Sequence, residues 1–172
     1  MNNITQIKRL SLWIFFLPLI AINLCLYISI NYDLLDNTIF AVDQIGRSGF
    51  TIPYIDGSIS ISRASRTFPQ YLIFKPAMFL TAFFLFLYWK KNNVLLNNLN
   101  NNSLVYRFKV FGFLSAIFLI LHSIFLGIKF DYDLYKLFRR VIMLIFIIFE
   151  VVAQAYLVIT FYSIKNKLLK FI

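Results

Sequence analysis

Residues 141–164 read VIMLIFIIFEVVAQAYLVITFYSI, a run whose one charged side chain is Glu150. A helix rises about 1.5 Å per residue, so roughly 20 apolar residues cross the ~30 Å hydrocarbon layer of a bilayer. This run is long enough, and residues 11–30, 71–89 and 110–128 are apolar windows of the same kind. Helices suit such windows because their backbone donors and acceptors are satisfied internally, where lipid offers no partner. The expected fold is therefore all-α: an integral membrane four-helix bundle, one domain over 1–172, with an ordered outer loop at 31–70 between the first and second helices. Composition agrees. The chain is 60% hydrophobic and 14% charged, whereas a soluble domain is about a quarter charged, so an ordinary soluble fold is excluded.

Four spans place both termini on one side, and Lys and Arg in short connections set which side that is. Lys8, Arg9, Lys90, Lys91, Arg107, Lys109, Lys165, Lys167 and Lys170 fall together on one side with no acidic residue among them. The opposite side holds nearly as many bases, but in longer segments that also carry Asp33, Asp36, Asp43, Asp56, Asp131 and Asp133. Both termini are accordingly expected in the cytoplasm. Lys8 and Arg9 precede the first window as in a secretory signal. The window outruns the usual apolar core of about 7 to 15 residues and no small-x-small site follows it, so it reads as a retained anchor. Trp13, Tyr88, Trp89, Tyr106 and Tyr162 fall near one boundary and Tyr27, Tyr32, Tyr71, Tyr132 and Tyr135 near the other, as amphipathic rings at headgroup level do. The net charge of +10 flanks spans, which fits anionic lipid headgroups and speaks against nucleic acid as a partner.

Cys25 is the only cysteine and His122 the only histidine. An internal disulfide, a C-x-x-C pair, a cysteine-built metal site, bis-histidine haem and a His-rich zinc centre are thereby excluded, and no metal or other cofactor is expected. Residues 90–103, KKNNVLLNNLNNNS, read as a flexible Asn-rich cytoplasmic linker.

The polar segment 52–76, IPYIDGSISISRASRTFPQYLIFKP, is of another kind. A loop longer than about 12 to 15 residues is usually functional or disordered, and the Ile39, Phe40, Val42, Ile45 and Phe50 side chains ahead of it are too apolar for a free linker. They suggest a short amphipathic element, with Gly46, Gly49 and Gly57 as places to turn. Residues 58–62 alternate Ser and Ile at period two, which predicts an extended strip. Asp56-Gly57 predicts a turn before it, and Pro69 with Tyr71 the start of the second helix. Arg63, Arg66 and Lys75 lie beside Ser60 and Ser62, and forked guanidinium groups with hydroxyl donors suit a phosphate or lipid headgroup. The competing reading pairs these bases with Asp33, Asp43 or Asp56 and lets Lys75 snorkel to the interface.

A second cluster lies within the spans. Asn23, Thr81, His122 and Glu150 place one polar group on each helix at similar depth, and Gln154 lies one turn from Glu150 on the same face. An ionisable group in a membrane is costly and points to function, with a partner opposite it. His122 is the expected partner of Glu150, and Ser115 lies two turns from His122. A proton-linked site, the polar end of a lipid pocket and a general base all fit, as does interhelical hydrogen bonding at about 0.6 kcal/mol per bond.

The residues Pro53, Tyr54, Ile55, Gly57, Ser60, Pro69, Ile73 and Phe74, placed between a first span and an immediate second one, resemble the Frag1/DRAM/Sfk1 group of membrane proteins. The resemblance covers the first half of the chain and implies work around lipids or lipid-anchored proteins, with no catalytic set to carry over. That group typically has six spans where this chain has four windows. The chain also resembles small bacterial inner-membrane proteins with a Ser-Ile-Ser, Arg and Ile-Phe-Lys-Pro pattern, which implies that location and no activity. The first expectation for function is thus a non-catalytic multi-pass protein that binds lipid headgroups or organises membrane lipids at the outer face. An accessory subunit of a larger membrane complex, with a membrane protein partner or a second copy, is the alternative. A lipid-modifying enzyme using Ser60 or Ser62 with Asp56, or a proton-linked transporter centred on Glu150, stand behind these.

Overall fold

The apolar windows wind into helices that run on into the polar sequence around them. In the computed structural model, which describes residues 3–40, 52–57, 59–97, 103–128 and 133–163, the elements are α1 (Asn3–Ile30), α2 (Pro53–Asp56), α3 (Ile61–Ala64), α4 (Tyr71–Asn97), α5 (Ser103–Phe125) and α6 (Asp133–Ser163), with a short 3-10 turn at Tyr32–Leu35. Among the described residues there is no strand. Four of the helices, α1, α4, α5 and α6, are long and apolar enough to cross a membrane.

Helix α4 corrects the expected linker. It continues to Asn97 because Leu96 is fully buried against Trp89 and Phe108, while Asn92 is buried and donates Nδ2 to the Tyr88 carbonyl at 2.9 Å. Only residues 98–102 of the Asn-rich stretch lie outside the described ones. Helix α6 starts at Asp133, two turns ahead of the expected edge at 141, which brings Lys136, Arg139 and Arg140 onto the helix. Trp89, expected at a headgroup boundary, is wholly enclosed.

Neighbours follow chain order. Helix α1 packs on α4, α4 on α5 and α5 on α6, so α1 and α6 face each other across a gap. One apolar layer, including Cys25, Leu26, Met78, Ala82 and Leu119, fills the bundle near α3, and another, around Leu85, Trp89, Phe108, Ala153 and Leu157, fills the far end. Stacked rings join the helices, Phe86 with Phe113 at 4.4 Å and Phe111 with Tyr156 at 5.9 Å between centroids. The buried hydroxyls of Thr81, Ser123 and Thr160 each donate to a carbonyl one turn earlier on their own helix, so they are satisfied without crossing to a neighbour.

The connection from α1 to α4 is tied down at both described ends. Gly57 ends α2 in the left-handed conformation, φ 62°, with its N–H on the Pro53 carbonyl. The expected Ser-Ile-Ser-Ile-Ser strip is extended only at Ser60, φ -77° and ψ 140°, and breaks off after it. Ser60 caps α3, its Oγ accepting from the Arg63 N–H at 3.3 Å, and residues 61–64 turn helical. A serine that satisfies a helix N-terminal donor outweighs period-two alternation here. Ile59 and Ala64 face the core, whereas Ile61 is exposed. Behind α3, the buried Gln70 amide lies between Ser29 of α1 and Thr67, its oxygen toward Ser29 Oγ (3.2 Å) and its nitrogen toward Thr67 Oγ1 and the Phe68 carbonyl (3.0 Å each). Ile39 is exposed and Phe40 rests against Phe68, while Val42, Asp43, Ile45, Gly46, Gly49, Phe50 and Ser58 lie outside the described residues.

Candidate functional site

Glu150 sits where α4, α5 and α6 converge, and the three helices supply its partners. Ser115 Oγ donates to Oε2 at 2.7 Å, Trp89 Nε1 to the same oxygen at 3.3 Å and Gln154 Nε2 to Oε1 at 2.9 Å. Trp89 can reach because Gly112 leaves room: a Cβ there would press into the indole ring. Both oxygens thus accept hydrogen bonds, which is how a polar group inside an apolar bundle avoids the cost of burial.

His122 is not the partner of Glu150, contrary to expectation. Along α5 it stands seven residues from Ser115, about 10 Å by helical rise, and it lies beside Arg139 instead. Its Nδ1 is buried without a hydrogen-bond partner among the described residues. Asn23 is also apart from the cluster. It is exposed, donates to the Leu19 carbonyl at 2.7 Å and accepts from Tyr54 OH at 3.2 Å, so it ties α2 to the outside of α1. Equal depth was legible in the sequence; the rotation of each helix, which decides who meets whom, was not.

A cavity of about 520 Å³ occupies the gap between α1 and α6 under α3. Its wall is mainly apolar, with Ile14, Pro18, Ile22, Met78, Leu119 and Phe146 among the lining residues, and Thr81, His122, Glu150 and Gln154 add polar points. Pro18 has no N–H, so the Ile14 carbonyl loses its helical donor on this wall. Above it lies a second cavity of about 650 Å³, lined by Ser62, Arg66, His122, Leu126, Lys136, Arg139, Arg140, Met143 and Leu144. Ser62, His122, Leu126 and Met143 line both, so a basic mouth adjoins an apolar interior.

The cations at the mouth are held by local bonds. Arg66 Nε donates to the Ser62 carbonyl at 2.6 Å, and the Arg139 guanidinium lies 5.2 Å from the centre of the Tyr135 ring, whose hydroxyl donates to the Phe125 carbonyl at 2.7 Å. Burial, and then the neighbouring charges of Arg139 and Arg63, keep the Arg66 guanidinium pKa below its ordinary value. Lys75 is not part of this mouth. Its Nζ reaches the Ile124 carbonyl at 3.5 Å and lies over the Tyr71 ring, closing the C-terminal end of α5. Ser60 is spent as a cap, and no hydrogen bond joins Ser62 to His122 among the described residues. A Ser-His pair for nucleophilic catalysis is therefore not assembled there.

Of the expected headgroup residues, Arg66 and Ser62 line the mouth, and Arg63 is exposed beside it. Lys136, Arg139 and Arg140 complete it from α6. Their spacing of three and four residues puts them on one helix face, a signal available once α6 is extended back to 133. Gly112 was also findable, since a glycine inside a helix costs about 1 kcal/mol relative to alanine and so marks a close approach. Comparison with protein-family models, with curated proteins and with solved structures finds no match.

Proposed function

We propose that this chain spans a membrane four times, with both termini on the cytoplasmic side, and binds a lipid by its anionic headgroup at the outer end of the bundle. The observation that carries this reading is the basic mouth set against the apolar cavity through four shared lining residues, which matches the two halves of an anionic amphiphile. Guanidinium groups donate to phosphate oxygens in a fork, and the cavity between α1 and α6 gives an acyl chain an apolar wall. Insertion is supported by the many large apolar side chains exposed around all four long helices, such as Phe15, Leu19, Phe83, Ile117, Leu144 and Val158. Patches of that extent are rare on soluble monomers. The likeness of segment 52–76 to bacterial inner-membrane proteins supports that membrane as the location.

The test is native mass spectrometry of the full chain purified in mild detergent. A phospholipid that copurifies with the wild type and is lost from Arg66→Gln/Arg139→Gln supports the reading. Equal retention by the variant overturns it. A stoichiometric protein partner with no retained lipid replaces it with the accessory-subunit reading.

A further inference from the structure

We infer that the mouth selects a phosphate group carrying two negative charges, a phosphate monoester or diphosphate, over the single charge of a phosphodiester. The inference rests on the headgroup reading and names the ligand class of the same site. Arg66, Arg139 and Arg140 line one opening together with Lys136, and no carboxylate lines it among the described residues. The charges of Arg139 and Arg63 press on Arg66, so these guanidinium groups repel one another.

One phosphodiester charge answers only one of these cations. A phosphate monoester ionises a second time near pH 6 and brings up to two charges and three acceptor oxygens at pH 7. Two buried polar atoms give the same indication. Arg139 Nε and His122 Nδ1 have no hydrogen-bond partner among the described residues, and both residues line the mouth. Buried polar groups left unpaired are rare and call for an explanation. A phosphate with three free oxygens has enough acceptors to serve Arg139 Nε as well as the Arg66 fork, and a protonated oxygen or a donating imidazole completes the contact at His122.

The experiment presents the purified full chain with phosphatidylcholine, phosphatidylglycerol and phosphatidic acid of one acyl composition at equal concentration, and reads bound lipid by native mass spectrometry. Phosphatidic acid is expected to be retained about tenfold over phosphatidylglycerol, which corresponds to about 1.4 kcal/mol. Arg139→Gln and, separately, Arg140→Gln are expected to bring the ratio down toward one. Equal retention of the two anionic lipids, both above phosphatidylcholine, overturns the charge rule and leaves the headgroup reading standing. Equal retention of all three overturns both. An excess of inorganic phosphate is expected to leave bound phosphatidic acid in place; displacement by phosphate alone assigns the site to a soluble anion and overturns the lipid reading.

Discussion

At Glu150 the question is what a carboxyl group does among apolar helices. Its oxygens accept from Ser115, Trp89 and Gln154; removing the acceptor strands the Trp89 N–H, whereas Ser115 Oγ can turn to the Gly112 carbonyl at 2.8 Å. Glu150→Leu is expected to cost about 1 to 3 kcal/mol, the penalty for a buried donor left unpaired. Glu150→Gln retains one acceptor oxygen for Ser115 and Trp89 while the Gln154 amide turns over, so its cost is expected to stay near 1 kcal/mol or below. Thermal unfolding in detergent separates the two; equal losses would show that the bonds carry no stability. Gly112 is the second decisive residue, because any Cβ there meets the enclosed Trp89 ring. Gly112→Ala is expected to lower stability by about 1 to 3 kcal/mol through over-packing, with a change in Trp fluorescence, whereas Ala116→Gly on the same helix should leave the indole where it is. The sequence carried Glu150 openly, since a lone charge in an apolar run stands out. It did not carry Trp89 as a partner, because an aromatic near a span edge looks the same whether it faces headgroups or a neighbouring helix.

The short α3 shows what an element adds to a string of residues. Four residues are too few to hold a helix by themselves, since fixing the first turn costs more than its bond returns. Ser60 caps it, and Ile59 and Ala64 are seated in the layer that includes Cys25, Leu26 and Met78. Ala64→Leu over-fills that seat and is expected to lift α3, seen as faster proteolytic cleavage within residues 52–70. Arg63→Gln, on the exposed side of the same turn, should leave the cleavage rate unchanged. Unchanged cleavage in Ala64→Leu would show that the turn stands without its seat. The existence of the four long helices was legible because apolar length is a long-range average that survives local error. Their ends were not: α4 winds on to Asn97 where Leu96 is buried in a layer shared with Phe108 of α5 and Leu157 of α6, and the largely exposed first turns of α6 are held by Tyr135, whose ring meets Phe125 and whose hydroxyl donates to the Phe125 carbonyl. The mouth was missed for the same reason, since half of it depends on where α6 begins.

Across the whole molecule the four helices form an arc, with the gap between α1 and α6 lined by residues from every long helix and closed at one end by α3. The arrangement joins a repulsive cationic mouth to an apolar interior, and that places stability and binding in opposition. Without ligand, Arg66 lies under the charges of Arg139 and Arg63. Arg66→Gln removes one member of that repulsion and keeps an amide that can donate to the Ser62 carbonyl, so the lipid-free unfolding temperature is expected to hold or rise. A ligand that binds only the folded chain stabilises it by about 2.7 kcal/mol at a hundred times its Kd. Adding phosphatidic acid to delipidated protein should therefore raise the unfolding temperature of the wild type, and raise it much less in Arg66→Gln. Raising ionic strength should narrow the difference between the two lipid-free proteins, because screening weakens the exposed part of the repulsion. A variant that is less stable without lipid, yet gains as much as the wild type with it, would place the binding surface elsewhere on the bundle and leave the arginines as ordinary flanking charges of α4 and α6.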